Sequence, residues 1–226
     1  MAGDLKDVRV ILCCAGEQKR WGNYLGVPKH LAPVHGVPLL HRTVGQLRAR
    51  GFEDIVITAF ESLYVVPGAQ TRAPTCTILP DTGTGHSAEF WSETGRTIVL
   101  YGDDYFTRYA MDVIAACPPE GLIWFGRYGP GKAQHCGELF GYSLPLDMQV
   151  TFKFAVRKAL EAKERGETPR ACSWEVYRFL HGIPMGDHKI AGDWVEIDDA
   201  TDDFDTPEDY ERWVRLFAEA EKGEAP

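Results

Sequence analysis

The stretch from residue 8 to residue 29, V-R-V-I-L-C-C-A-G-E-Q-K-R-W-G-N-Y-L-G-V-P-K, constrains the chain most. Its apolar, β-branched start reads as a buried strand. The run stops at Ala15-Gly16 and enters a loop carrying Lys19, Arg20 and Lys29. Bare backbone N–H groups and three cations gathered at a strand end make a cradle for a polyphosphate. A strand that delivers its chain to such a loop fits an open sheet whose ligands bind beyond the carboxyl ends of the strands.

The rest of the chain alternates in the way such a sheet requires. Turn residues Pro33, Gly36 and Pro38 precede a helix over 39–50, where Leu40, Val44 and Leu47 recur at helical spacing and Gly51 supplies the stop. The run 54–59 is a β-branched strand, so strand, helix and strand form a right-handed parallel crossover. Further strands are expected at 75–79 and 97–101, with a short helix over 87–93 entered through the turn 81–85. A helix over 108–117 and a strand over 121–126 follow. Residues 127–132 read as a loop, 138–143 as a strand, 149–164 as an amphipathic helix and 175–180 as a short helix. The loop 182–192 leads to a strand over 194–197. Thr206-Pro207-Glu208-Asp209, a cap residue followed by Pro and acids, opens a last helix that runs to about residue 221. No repeat or low-complexity linker divides the chain, so one α/β domain over 1–226 is expected. Residues 1–126 would form the half that binds the first ligand, 127–192 would cover one end of the sheet and bind the second, and 193–226 would supply a metal-ligand strand and the C-terminal helix.

Composition narrows the function classes. With 226 residues and 44% hydrophobic content the chain can bury a core without disulfides or metal staples. The six cysteines form no C-x-x-C pair and read as small apolar residues. No stretch approaches the roughly 20 apolar residues of a membrane span, and the polar N-terminus does not resemble a signal peptide, so a soluble cytoplasmic protein is expected. A net charge of −9 argues against nucleic-acid or anionic-membrane partners, which need a basic footprint. The charge is unevenly spread. Residues 1–50 hold eight Lys and Arg against three acids, whereas residues 196–211 hold nine acids and no base. The two could meet across a phosphate ligand and its divalent cation; on charge alone, a solvated loop and a solvated helix face is the commoner explanation.

Three loops fall at the carboxyl ends of the expected strands: residues 15–29 with cations and free N–H groups, 80–87 with small residues that let a flat ring approach, and 102–104 with the carboxylate pair Asp103 and Asp104. Together they describe a nucleoside triphosphate with its metal. No G-x-G-x-x-G follows the first strand, which disfavours a dinucleotide-binding dehydrogenase.

The same residues resemble a known signature. C-A-G-E-Q-K-R over 14–20, P-K at Pro28-Lys29 and L-A-P-V-H-G-V-P-L-L over 31–40 are similar to the hallmark of the nucleotidyltransferase superfamily that makes sugar nucleotides. Gly102-Asp103 after a buried strand and D-T-P-E-D over 205–209 extend the likeness across most of the chain. The resemblance implies a Rossmann-like, mixed and mainly parallel sheet with helices on both faces, the nucleotide-diphospho-sugar transferase fold.

It also implies roles. The backbone of Ala15, Gly16, Glu17, Gln18 and Lys19 would cradle the β- and γ-phosphates, with Arg20 neutralising them and Lys29 at the α-phosphate. Gln18 replaces the second glycine of the hallmark, and its amide is able to donate to a phosphate oxygen. Gly83, Thr84 and Ser87, with His86 between them, would read the base, and Gly102 would approach the nucleotide. Asp103 would be the first Mg²⁺ ligand, a hard ion that takes one or two carboxylates plus phosphate oxygens. For the second, Trp194-Val195-Glu196-Ile197-Asp198 resembles the ending of choline-phosphate-type cytidylyltransferases, which ranks Asp198 ahead of Glu196 and of Asp205; Asp205 is also explained as a neighbour of the helix cap. Glu138 and Gly141 would frame the acceptor, and Arg127 or Lys132 would hold its phosphate. Trp174, Tyr177 and Phe179 suggest an aromatic cage for a quaternary ammonium, though core packing is the commoner fate.

The expected activity is Mg²⁺-dependent transfer of an NMP from an NTP, with CTP favoured, to a phosphorylated small metabolite such as a sugar 1-phosphate or a phospho-amino alcohol or phosphonate. Pyrophosphate is released. The rivals are a molybdenum-cofactor-type guanylyl- or cytidylyltransferase acting on a pterin phosphate, and a non-catalytic nucleotide-binding module. A homo-oligomeric state is left open.

Overall fold

The computed structural model describes residues 5–60, 63–75, 83–129 and 137–217. In chain order, β1 (Arg9–Cys13), the short hairpin β2 (Pro33–Val34) and β3 (Val37–Pro38), α1 (Leu39–Ala49), β4 (Asp54–Thr58) and β5 (Gln70–Arg72) form the first part. Then come α2 (Gly83–Ser87), β6 (Thr97–Tyr101), β7 (Asp104–Tyr105), α3 (Arg108–Ala115) and β8 (Ile123–Arg127). β9 (Glu138–Leu144), α4 (Gln149–Glu164), α5 (Ser173–Leu180), β10 (Trp194–Glu196), β11 (Asp202–Asp203) and α6 (Pro207–Phe217) complete it.

Seven strands build one sheet in the order β10-β8-β9-β6-β1-β4-β5, and only β9 runs against its neighbours. This is the mixed, mainly parallel sheet expected from the sequence. Alternation along β1 sends Val10 and Leu12 to one face, where Leu40, Val44 and Leu47 of α1 and Met111 and Ile114 of α3 cover them. Ile11 points to the other face, against a cluster that includes Phe152 and Val156 of α4 and Tyr177 of α5. Helices therefore cover both faces. No helix among the described residues is long and apolar enough to cross a membrane.

Local signals explain the boundaries. Gly51 takes φ 93° beyond α1 and donates to the Arg48 carbonyl, while Phe52 donates to Leu47, a C-terminal closure that favours glycine. Thr107 caps α3 by accepting from the Ala110 N–H at 2.9 Å. At α6, the Asp209 carboxylate accepts from the Thr206 N–H at 2.9 Å and the Thr206 hydroxyl accepts from the Asp209 N–H at 3.2 Å.

Two expectations need correcting, the helix over 87–93 and the loop at Arg127. The helix expected over 87–93 lies earlier, at Gly83–Ser87, so the small-residue turn is itself helical. The chain then bends, with the Ser92 hydroxyl accepting from Gly95 N–H at 3.0 Å. The strand expected over 75–79 falls largely on residues outside those described, and the strand found beside β4 is β5. Arg127 also belongs to a strand rather than to a loop.

The parallel strands place the ends of β1, β4, β6, β8 and β10 along one edge of the sheet. Because β9 is antiparallel, its first residue, Glu138, arrives at that same edge opposite Arg127. Gly141 sits in mid-sheet between β6 and β8, at φ 153°, where a Cβ would collide with the Val99 carbonyl oxygen. It lets two strands approach and does not reach the cavity. Gly141→Ala is therefore expected to lower the unfolding free energy by about 2–3 kcal/mol, as for other overpacked core sites; urea unfolding that leaves stability unchanged would contradict this.

Candidate active site

β1 hands its chain to the loop at Cys14, whose N–H donates to the Thr58 carbonyl at 2.9 Å. Beyond it, the N–H groups of residues 15–20 donate to no described acceptor. The loop is held from its far side. Trp21 is buried, donates from its ring to the Val27 carbonyl at 2.7 Å, and meets Tyr24 and Tyr210 edge-on. Trp21, Val34, Tyr105, Phe204 and Trp213 form a separate apolar cluster. This cluster joins the loop to α6 and to the β7–β11 pair. Pro28 then starts a 3₁₀ turn over Lys29–Leu31, in which Leu31 and Ala32 donate to the carbonyls of Pro28 and Lys29.

That turn delivers the Lys29 ammonium between two carboxylates. Its Nζ pairs with Asp103 and donates to Asp205 Oδ1 at 2.9 Å, and Arg20 pairs with the other oxygen of Asp205 at 2.5 Å. Burial alone would lower the Lys29 pKa; Asp103 and Asp205 overcome it and hold it raised. Burial likewise works against the Asp103 carboxylate, but Lys29 and then His30 keep its pKa below the ordinary value. Asp103 is placed by Gly102, where a Cβ would strike Cys14 Sγ and lie 3.1 Å from the Cys13 carbonyl oxygen. Asp205 is placed by the two-residue ladder pairing Asp202 and Asp203 with Tyr105 and Asp104, after which Phe204 N–H donates to the Asp103 carbonyl at 3.1 Å.

Two cavities open on Asp103. One of about 130 Å³ is lined by Ala15, Gly16, Glu17, Lys29 and Asp103. The other, of about 720 Å³, holds Asp103, Asp205, Asp203, Glu138 and Arg20 at one end and Arg170, Trp174, Arg178 and His188 elsewhere on its wall. The acid-rich end is crowded. Burial and Asp103 push the Asp104 carboxyl well up, and burial with Glu138 and Asp205 does the same to Asp203. Around the aromatic part of the wall, Trp174 stacks on Trp194 at 5.6 Å, and His188 lies parallel to Tyr128 at 5.1 Å. The Arg178 guanidinium is held by the buried Glu175 at 2.8 Å.

Lys29, Asp103, Asp205 and Arg20 thus come together, with Ala15, Gly16 and Glu17 lining the adjoining cavity. Other expected residues are placed differently. Exposed Lys19 pairs with Glu17 at 2.6 Å. Gln18 is engaged at both ends of its amide, by Lys29 N–H and by Tyr64. Thr84 lines the larger cavity with its hydroxyl 2.7 Å from Ser173 Oγ, and the buried Ser87 hydroxyl donates to the Thr84 carbonyl at 2.7 Å. Gly83 opens α2, beside them.

Asp198 is exposed, and Glu196 accepts from the Trp194 ring at 2.6 Å and from Tyr128 N–H at 3.0 Å, so the carboxylate facing Asp103 is Asp205. The ranking that put Asp198 first does not match this placement: both residues belong to the edge-strand end, whereas Asp205 is carried back to Lys29 by β11. Arg127 is buried, donating to the Thr201 carbonyl and to Asp202 at 3.0 Å, and does not face the acceptor cavity. Lys132 lies outside the described residues. Tyr177 is a core residue, its hydroxyl accepting from Ala191 N–H and donating to the Gly192 carbonyl, while Trp174 lines the cavity. Sequence reasoning missed Arg170, Arg178 and Ser173; only their closeness to the aromatic helix hinted at them.

No family model matches the sequence, and no curated protein matches it. The fold does have solved counterparts. Among them are the CTP:phosphocholine cytidylyltransferase of Streptococcus pneumoniae (15% identity, TM-score 0.58, covering 92% of this chain and 98% of that one) and the 2-C-methyl-D-erythritol 4-phosphate cytidylyltransferase of Thermus thermophilus (15%, 0.55, 92% and 98%). A Mycobacterium tuberculosis protein solved in complex with manganese is a third (15%, 0.54, 93% and 98%). The chain thus shares its fold with these solved proteins, as the resemblance of its sequence implies.

Glu138 gives the site a pH signature. Burial first, opposed by the Leu139 N–H and reinforced by Asp205 and Asp103, pushes its carboxyl from 4.5 to about 7. Between those values the folded protein holds a proton that the unfolded chain has released, so stability falls as pH rises through the window. Glu138→Gln is expected to gain on the wild type by on the order of 2 kcal/mol between pH 5 and pH 8 in urea unfolding. A difference that does not vary with pH would contradict the raised Glu138 carboxyl.

Proposed function

We propose that the chain is a nucleotidyltransferase that moves an NMP from an NTP to a phosphorylated small metabolite and releases pyrophosphate. The observation that carries this reading is the Lys29 ammonium shared between Asp103 and Asp205 beneath a loop of unpaired N–H groups. An acceptor phosphate oxygen attacks the α-phosphorus in line, the bond from that phosphorus to the bridging oxygen breaks, and pyrophosphate leaves with the electron pair. Such transfers are governed by positioning and charge neutralisation. Lys29 supplies the cation at the α-phosphate, and Arg20 with the N–H groups of residues 15–20 holds the departing phosphates.

The two carboxylates also fit a hard divalent cation. Both offer oxygen ligands, and they already converge on one positive charge, the Lys29 ammonium. Among the described residues no three His, Cys, Asp or Glu side chains form a cage of their own, which suits an ion completed by substrate phosphates. Asp103 and Asp205 would hold Mg²⁺, which when bound neutralises phosphate charge as a Lewis acid.

Arg170 and Arg178 are the cations available to an anionic acceptor, with Trp174 as an apolar wall beside them. They take the role expected of Arg127. CTP is the favoured nucleotide, on the likeness of residues 194–198 to choline-phosphate-type cytidylyltransferases, and a cytoplasmic setting that supplies NTPs belongs to the same reading.

A pyrophosphate-release screen of the four NTPs against a panel of sugar, amino-alcohol and pterin phosphates with Mg²⁺ tests the reaction and finds the acceptor. With an active pair in hand, Asp103→Asn and Lys29→Ala should each cut release at least about a hundredfold, roughly 2.7 kcal/mol of transition-state stabilisation, with native circular dichroism. Near-normal rates in both variants would sink the assignment.

A further inference from the structure

We propose that Gln18 is a positioning residue that fixes the Lys29 backbone, anchored by a chain of side-chain hydrogen bonds that runs through Tyr64 to His30. The inference rests on the nucleotidyltransferase reading above.

Gln18 Oε1 accepts from the Lys29 backbone N–H at 2.8 Å, and Gln18 Nε2 donates to the Tyr64 hydroxyl at 2.9 Å. The Tyr64 hydroxyl lies 3.0 Å from His30 Nδ1. A hydroxyl that accepts from an amide has its own proton to give, and a neutral ring protonated on Nε2 would accept it at Nδ1. Neutrality is secured by burial, which lowers the His30 pKa to about 4. Tyr64 and His30 are 1% and 2% exposed, so water competes little for these bonds. The Tyr64 carbonyl in turn accepts from Thr71 Oγ1 of β5 at 2.6 Å, which ties the chain of bonds to the sheet. At the other end the His30 ring lies 3.2 Å from the point where a Gly102 Cβ would stand. One network therefore braces the backbone of the cation, and its last ring lies beside the turn that carries Asp103.

The loop needs such a brace. Asn23 and Leu25 both take the left-handed conformation, at φ 60° and 58°, which costs non-glycine residues energy and must be imposed from outside. A glycine at position 18, as in the related signature, would leave the Lys29 N–H without this acceptor. The Lys29 side chain has only to pivot between the carboxylates and a phosphate if its backbone is fixed, and misplacement of a reacting group by about 1 Å costs on the order of a hundredfold in rate.

The test uses Gln18→Leu, which keeps the size and removes both bonds, Tyr64→Phe, which removes the second, and the double variant. For the pair of substrates turned over by the wild type, Gln18→Leu should lower kcat about tenfold or more with the KM for the NTP changed less than about threefold, since the phosphate-binding N–H groups remain. The double variant should be no slower than Gln18→Leu, because both changes cut one chain. Amide exchange at Lys29, followed by NMR, should accelerate at least about tenfold in Gln18→Leu. A kcat within twofold of an active wild type overturns the inference, as do additive losses in the double variant. Absence of any turnover by the wild type overturns the proposed function instead, and Lys29 exchange then decides the brace alone: unchanged exchange overturns it.

Discussion

A lysine ammonium drawn out of water and shared by two carboxylates is the interaction on which the rest of the site depends. Lys29 and Asp103 have side chains only 11% and 16% exposed, and burying a pair of charges costs several kcal/mol each before their attraction returns it. Such a pair is poor evidence of stability. It is good evidence of a place where charges are exchanged. The ammonium is the counter-charge of Asp103 and Asp205; in the proposed reaction a phosphate and its cation would take over that pairing, and three separate chain segments must be held in register for that exchange to be possible.

The sheet supplies the register. β1 and β6 are parallel neighbours with Cys13 opposite Tyr101, so the loop after one strand and the Gly102-Asp103 turn after the other open side by side. The reversed strand β9 brings Glu138 to the same edge, and the short β7–β11 ladder returns the chain from β10 so that Asp205 faces Lys29. The aromatic cluster of Trp21, Phe204 and Trp213 holds the loop against that returning chain. Packing in the third cluster is thus what couples the N-terminal cations to the C-terminal acids, two groups that lie far apart in sequence.

Much of this was legible from residue pattern. β6 matches its expected run at both ends, β4 lacks only the last residue of its run, and α4 and the cap of α6 follow from apolar spacing and from Thr206 and Asp209. Lys29 and Asp103 were visible because Pro28-Lys29 and Gly102-Asp103 resemble parts of a known signature. Asp205 was not distinguishable from Asp198 because a two-residue ladder leaves no period, and because tertiary pairing decides which acid is carried back. Arg127 looked like a ligand cation; its partner Asp202 lies 75 residues away, a distance over which sequence carries no register. Gly141 resembled an acceptor-framing glycine but answers to the close approach of Val99. Gln18 read as a departure from a glycine signature, and its partner Tyr64, 46 residues on, explains the departure.

The central claim is that Lys29 is a cation on loan between protein carboxylates and substrate phosphate. A crystal structure with a non-hydrolysable CTP analogue and Mg²⁺ tests it most directly. The claim expects Lys29 Nζ to have left Asp103 and Asp205 for an α-phosphate oxygen, with the metal between those two carboxylates and the phosphates. A nucleotide bound elsewhere, with the Lys29–Asp103 pair intact, would contradict it.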